Sequence, residues 1–371
     1  MAEGFAPLGF GFMRLPAIAG SDGKEIDHEQ VCTMVDAFLE AGFTYFDTAY
    51  GYHDGRSEHE LKAALVDRHP RDAYTVATKL PAWAARDAEH ARSMFDRSLQ
   101  KTGLDYFDYY LLHNLGGELT KTFDDYGIWD YLAEKREQGL IRHLGFSIHD
   151  DADALETVLA AHPDMDFVQL QINYADWESD LIQSRKCYEV ARAHGLPVVI
   201  MEPVKGGSLV KLPPKAEEVL RGMDPDASMA SWALRFCASL PGVMAVLSGM
   251  STIEQVRDNT ETFRAARPLD ACEAAAIEQV RSIIDDIDAV PCTDCRYCIE
   301  GCPAGVKIPL IIESLNILTR FGDMHRAQEN YDWNTSGAEA SLCVGCGACE
   351  RVCPQKIDIV AQMKRAADLF E

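Results

Sequence analysis

The sequence predicts an α/β fold, a (β/α)8 TIM barrel followed by a small, mostly helical C-terminal domain. Three observations carry that expectation. Eight short apolar runs alternate with amphipathic helical runs over roughly the first 290 residues, the pattern of parallel strands each followed by a crossover helix. No G-x-G-x-x-G follows the first run, which argues against a doubly wound dinucleotide-binding sheet. Beyond that stretch, two dense cysteine groups set the C-terminal part apart. The boundary is drawn at 288/289, giving a barrel over 1–288 and a cysteine-rich domain over 289–371.

In chain order, strands are expected at LGFGF (8–12), YFD (45–47), YTVATK (74–79), YYLLH (109–113), HLGFS (143–147), FVQLQI (167–172), PVVIME (197–202) and VMAVLS (243–248). Helices lie between them. Residues 28–41 place Val31, Met34, Val35, Phe38 and Leu39 on one stripe, with Gly42 as the stop. Residues 87–102 do the same with Ala91, Met94, Phe95, Ser98 and Leu99 before Gly103. Over 226–240 the stripe is Met229, Trp232, Ala233, Phe236, Cys237 and Leu240. Near the C-terminus, IPLIIESLNILTRFG reads as a helix between the two cysteine groups.

Composition bounds the function. The hydrophobic share of 47% supports a sizeable core. A formal net charge of −24 repels nucleic acid and anionic lipid; it gives solubility, or suits a basic redox partner. No apolar run reaches membrane-spanning length, and MAEGFAPLGFGFMRLP lacks the regions of a secretion signal. The expectation is a cytoplasmic protein that binds neither nucleic acid nor membrane.

Cysteine usage is split. Cys32, Cys187, Cys237 and Cys272 are isolated and expected to be buried small hydrophobes. The other eight are Cys292, Cys295, Cys298 and Cys302 in CTDCRYCIEGCP, and Cys343, Cys346, Cys349 and Cys353 in CVGCGACERVCP. Both follow Cys-x2-Cys-x2-Cys-x3-Cys-Pro, the spacing of bacterial ferredoxins. Soft thiolates suit iron–sulfur chemistry, and the short steps let one loop wrap three corners of a cubane. The doubled motif predicts two 4Fe-4S clusters. In two-cluster ferredoxins the fourth cysteine of each run serves the other cluster. Cys353 would then join Cys292, Cys295 and Cys298, and Cys302 would join Cys343, Cys346 and Cys349. Two zinc sites are the alternative, but these usually pair distant Cys-x2-Cys knuckles.

In a barrel the chemistry sits on the loops after the strands. The second strand ends in Asp47, with Tyr52 five residues on; the third ends in Lys79 and the fourth in His113.

Here the chain resembles the aldo/keto reductase family. The segments that carry the resemblance are FDTAYGYHDGRSE, VATKLP, YYLLHNL, LGFSIH, FVQLQINY, MEPVKGG and LSGMSTIEQVRDN, in the family's order. The tail resembles the subgroup with a C-terminal iron–sulfur segment. The resemblance implies reduction of an aldehyde or ketone with NADPH or NADH, or the reverse oxidation of an alcohol. It implies Tyr52 as proton donor, with Asp47, Lys79 and His113 as its partners. It also implies nucleotide contacts from Ser147, Gln169 and Pro203, and from Gly249, Met250, Ser251, Gln255 and Asn259. Two departures stand out. Met201 occupies the place of a tyrosine that stacks on nicotinamide, and Gln255 that of an arginine for the 2′-phosphate, leaving NADP or NAD open.

The physical logic runs parallel. A carbonyl that accepts hydride builds negative charge on oxygen and needs a proton there. Tyrosine is a weak acid, and a neighbouring ammonium is expected to lower its pKa. For the clusters three readings stand: a structural or site-shaping role, a relay to a ferredoxin-like partner, or a catalytically idle barrel serving as an electron-carrier module.

Overall fold

The computed structural model describes residues 6–21, 25–265 and 267–371. Eight strands close a parallel barrel in sequence order. They are β1 (Leu8–Gly11), β2 (Tyr45–Asp47), β3 (Thr75–Leu80), β4 (Phe107–Leu115), β5 (Ile141–Ile148), β6 (Phe167–Gln171), β7 (Val198–Met201) and β8 (Val243–Gly249). Each falls on an apolar run read from the sequence; β4 and β5 extend beyond theirs at both ends, and β3 and β8 by one residue at the carboxyl end.

The helices form where the stripes predict. His28–Glu40 is capped by Asp27, whose side chain accepts from the Gln30 amide at 3.1 Å. Ala88–Thr102 is capped by Asp87 through the His90 amide at 2.7 Å and ends at Gly103 with φ +68°. A left-handed residue there stops the helix without steric cost. Gly145 in β5 has a different purpose: a Cβ there would lie 2.4 Å from the Phe167 carbonyl oxygen.

The barrel interior explains where the chemistry stands. Tyr45, Ala77, Leu111, Phe167, Val199, Ala245 and Leu247 pack together as an apolar layer. Side chains two apart on a strand share a face. Two residues further along β2, β3, β4, β6 and β7 come Asp47, Lys79, His113, Gln169 and Met201. An apolar plug thus carries a polar layer directly above it, at the carboxyl ends of the strands.

The chain forms two compact, discontinuous units. One holds the residues up to Glu178, Ile182–Pro203 and Ser231–Asp270; the other holds Ser179–Leu181, Val204–Ala230 and Ala271–Glu371. Compactness thus groups Val204–Ala230 with residues beyond the 288/289 division. In the second unit, the expected helix Ile308–Phe321 supplies Ile308, Ile311, Ile312 and Leu315 to a core shared with Tyr331, Ile359, Met363 and Phe370. Lys205 Nζ meets Glu313 Oε1 at 3.5 Å, and a Cβ on Gly206 (φ +61°) would strike the Arg326 side chain.

The isolated cysteines depart from expectation. Cys187 and Cys237 are buried, but Cys32 is half-buried and Cys272 is exposed. Cys32 lies one position beyond the buried Val31 and turns away from the stripe; Cys272 precedes the inward-facing Glu273 in the helix Ala271–Asp285. Among the described residues no helix is long and apolar enough to cross a membrane.

Candidate functional site

Lys79 is fully buried, and its ammonium donates to Asp47 Oδ1 at 2.5 Å and to the Thr48 carbonyl at 2.8 Å. It lies 5.0 Å from the centre of the Tyr52 ring, within hydrogen-bonding reach of the phenol. Burial opposes the charge on Lys79, but the Asp47 carboxylate and Tyr52 outweigh it and raise its pKa. His113 meets Tyr52 edge to face, with ring centres 5.8 Å apart. Burial, then the positive field of Lys79, hold His113 well below the usual histidine range, so it is a neutral imidazole. The structure therefore brings all four predicted residues together.

Tyr50 is the nearby alternative phenol, and it sits elsewhere, with Lys101 Nζ 4.3 Å from its ring centre. One expectation is corrected. Lys79 does pull the Tyr52 pKa down, but burial is larger and the net shift is upward.

The loop carrying Tyr52 is held by residues whose part the sequence did not disclose. Glu58, in the RSE of FDTAYGYHDGRSE, is fully buried, accepts from Thr78 Oγ1 at 2.7 Å and pairs with Lys101 Nζ at 2.7 Å. Lys101 also donates to the Tyr50 carbonyl at 3.0 Å. Ser57 Oγ donates to the Phe12 carbonyl at 3.1 Å. An acidic residue in a loop normally reads as surface; only its two partners in β3 and the helix Ala88–Thr102 reveal it as an anchor.

The residues expected at a nicotinamide are adjacent. Ser147 pairs with Gln169 across β5 and β6. Ser147 Oγ accepts from the Asn114 amide at 2.8 Å, where β4 bulges and Asn114 takes φ +59°. Gln169 is 2% exposed; its Nε2 contacts Met201 Sδ at 3.4 Å, while its Oε1 is buried with no partner. An orphaned buried acceptor is costly unless a ligand donor meets it. That fits the amide group of a nicotinamide. Pro203 follows Glu202, which holds φ +57°.

At the far end of the expected nucleotide set, Gly249 closes β8, and a Cβ there would lie 3.2 Å from the Arg14 side chain. Ser251 donates through Oγ to the Arg14 carbonyl at 2.7 Å, and its amide donates to Gln255 Oε1 at 2.7 Å. Asn259 is buried and donates to Ser248 Oγ at 3.0 Å; Met250 is fully buried. These two shape the β8 loop from below.

In the second unit, Cys292, Cys295, Cys298 and Cys353 line one cavity, walled by Ile308, Pro309, Ile312, Ile357 and Ile359. This is the crossed-over quartet expected from spacing. Among the described residues no three potential ligands converge tightly enough for a single metal ion. Soft sulfurs around an apolar-walled space suit a cluster. In the other run, burial raises the Cys349 thiol, and Cys343 lies close enough to add to that shift.

Comparisons with known proteins give the family and the fold. A model described as the aldo/keto reductase family matches residues 7–282, and one described as a 4Fe-4S dicluster domain matches residues 291–357. An uncharacterized oxidoreductase of Bacillus subtilis is 24% identical over 272 residues, covering 65% of this chain and 84% of that protein. An aldo-keto reductase of Mycobacterium avium is 28% identical over 248 residues, covering 66% and 80%. Among solved structures, an aldo-keto reductase from Bacillus halodurans in its holo form superposes with a TM-score of 0.59 at 25% identity, covering 74% of this chain and 92% of that one. One from Klebsiella pneumoniae in complex with NADPH gives 0.57 at 23%, covering 74% and 90%, a likeness of fold.

Proposed function

The chain belongs to the aldo/keto reductase family and carries a C-terminal 4Fe-4S dicluster domain, and from that premise we propose that it interconverts a small aldehyde or ketone and its alcohol with Tyr52 as the proton donor. The observation that carries the reading is the buried Lys79–Asp47 pair against the Tyr52 phenol.

A bound nicotinamide supplies or takes the hydride. The residues do the rest. His113 is neutral, so it donates one N–H to the carbonyl oxygen and fixes its direction without adding charge. Tyr52 O–H donates to the same oxygen and passes its proton as negative charge builds there. Lys79 stabilises the phenolate that this leaves, and Asp47 keeps Lys79 charged and in place. Ser147, Gln169 and Pro203 would hold the nicotinamide end of NADP or NAD, and Gly249, Met250, Ser251, Gln255 and Asn259 the adenosine end. The neighbour that holds NADPH favours the phosphorylated form.

The eight cysteines would hold two 4Fe-4S clusters in a structural or partner-docking role. A relay to a ferredoxin-like partner is the second reading, favoured by the exposed Cys295 and Cys346. The sequence division at 288/289 belongs to the same proposal, supported by the family matches on either side of it.

The deciding experiment is Tyr52→Phe. The ring stays but the transferable proton goes, so carbonyl turnover falls by at least about a hundredfold while nucleotide affinity is kept. Undiminished kcat would remove Tyr52 from the role.

A further inference from the structure

We infer that Trp83 is a positioning residue for His113: its indole N–H and the Ser147 hydroxyl grip one peptide group from opposite sides, and that grip aims the imidazole at the carbonyl oxygen. This rests on the carbonyl reaction proposed at Tyr52 and adds what holds its second donor in place.

The need for a grip comes from the sheet. Leu80 and Leu112 form the last pair between β3 and β4. On the other side, Leu112 pairs with Phe146 and Leu115 with Ile148. His113 and Asn114 thus face the single residue Ser147, and β4 carries one residue too many. A bulge of this kind leaves backbone groups without ladder partners and re-aims a side chain. Such groups need other partners.

Two side chains supply them. Trp83 Nε1 donates to the His113 carbonyl at 2.9 Å. The next amide, that of Asn114, donates to Ser147 Oγ at 2.8 Å. The C=O and N–H of a trans peptide point in opposite directions, so Trp83 and Ser147 hold one plane by its two edges. Trp83 is in reach because the short turn Ala82–Ala84 follows β3 directly, after Pro81. The bulge also sets Asn114 at φ +59°, a left-handed conformation that asparagine tolerates better than most residues.

Little else fixes the imidazole. Its Nδ1 is buried, with no hydrogen-bond partner among the described residues. A histidine that works through one ring nitrogen is ordinarily steered by a bond at the other. Here the ring leans on Tyr52 and on Trp83, whose ring centre is 6.2 Å away at an angle of 54°. Its direction therefore follows the backbone, and the backbone follows the grip. The two holding residues differ in one respect. Ser147 accepts from Asn114 and keeps its own O–H to donate to the nicotinamide expected beside it. Trp83 stands outside the nucleotide set.

The test is Trp83→Phe in the full chain with its clusters, assayed on benzaldehyde. The aromatic body stays and the donor goes. Turnover, as kcat, should fall about ten- to a hundredfold, the scale of a misplacement of roughly 1 Å at a reacting group. The dissociation constant for NADPH should hold. Ser147→Ala should instead lower kcat and weaken NADPH binding together. Benzothienylalanine in place of Trp83 keeps the indole shape without its N–H; it should repeat the loss, which separates the bond from the packing. In a His113→Asn background, Trp83→Phe should cost nothing further, because its effect runs through the imidazole. Undiminished kcat in either Trp83 variant, or losses that multiply in the His113→Asn background, would overturn the inference. Absence of wild-type turnover with any carbonyl defeats the reaction assigned to Tyr52, and the His113 ring then decides the matter. Its nitrogen-15 resonances should shift in Trp83→Phe, and unmoved resonances would overturn the inference by themselves.

Discussion

Lys79 Nζ donates to Asp47 Oδ1 at 2.5 Å, and both side chains are almost wholly removed from solvent. A buried pair of this kind is coupled: removing one partner leaves an uncompensated charge. Asp47→Leu and Lys79→Met should each cost about 3–5 kcal/mol, and the double replacement less than their sum. Denaturant unfolding of the three variants measures the coupling. Additive losses would show that the pair does not act as a unit.

The pH profile follows from Tyr52 and His113. Reduction needs protonated Tyr52, whose pKa is displaced upward from the ordinary 10.0 by burial. The acid form is lost only as pH rises through that higher value, so kcat/KM for reduction should stay flat through the neutral range and fall only in strong alkali. Alcohol oxidation needs the phenolate and should climb with pH. His113 is held well below 6.5, so neither profile should bend near that value. A bend there that His113→Asn removes would contradict a neutral His113.

Cluster content is countable. Anaerobically purified protein should hold about eight irons and eight sulfides. Cys292→Ser removes one ligand from the cavity that Cys353 completes, so it should lose about four of each. Stoichiometric zinc without sulfide would replace the clusters with zinc sites.

Ferredoxin-type clusters sit near −400 mV or lower, below a nicotinamide couple, so hydride donation to them runs uphill. NAD(P)H alone should leave the anaerobic EPR spectrum silent while carbonyl turnover proceeds. A reduced-cluster signal that rises and decays at the turnover rate would instead favour the relay.

Gly145→Ala tests the barrel itself. The added methyl would meet the Phe167 carbonyl oxygen at 2.4 Å, and backbone in a closed sheet yields little. A loss of about 1–3 kcal/mol is expected, read as a drop in Tm. An unchanged Tm would mean that β5 and β6 can separate.

Much of this was legible in local sequence, for a physical reason. The tetrad lies on strand ends, and the strand period is two. Once Ala77 and Leu111 read as apolar strand interior, Lys79 and His113 fall on the same face. The cysteine quartet was legible because ligand spacing is local, and even the crossing of Cys353 to the first run follows from the motif. Glu58 was not legible as an anchor, since its burial depends on Thr78 and Lys101. Cys272 was misjudged because its residue type suggests burial but carries no helical phase.

The grouping of Val204–Ala230 with the C-terminal residues has a practical meaning for anyone who would dissect this protein. A stop codon after Asp288 would not release a detachable cassette. It would take Glu313 from Lys205, which is only 7% exposed, and Arg326 from the turn at Gly206. The remnant would keep the stretch that leaves β7 through Pro203 but lose what that stretch packs against. Chimeras should therefore be spliced in pairs, with residues 204–230 travelling alongside the tail they fold with.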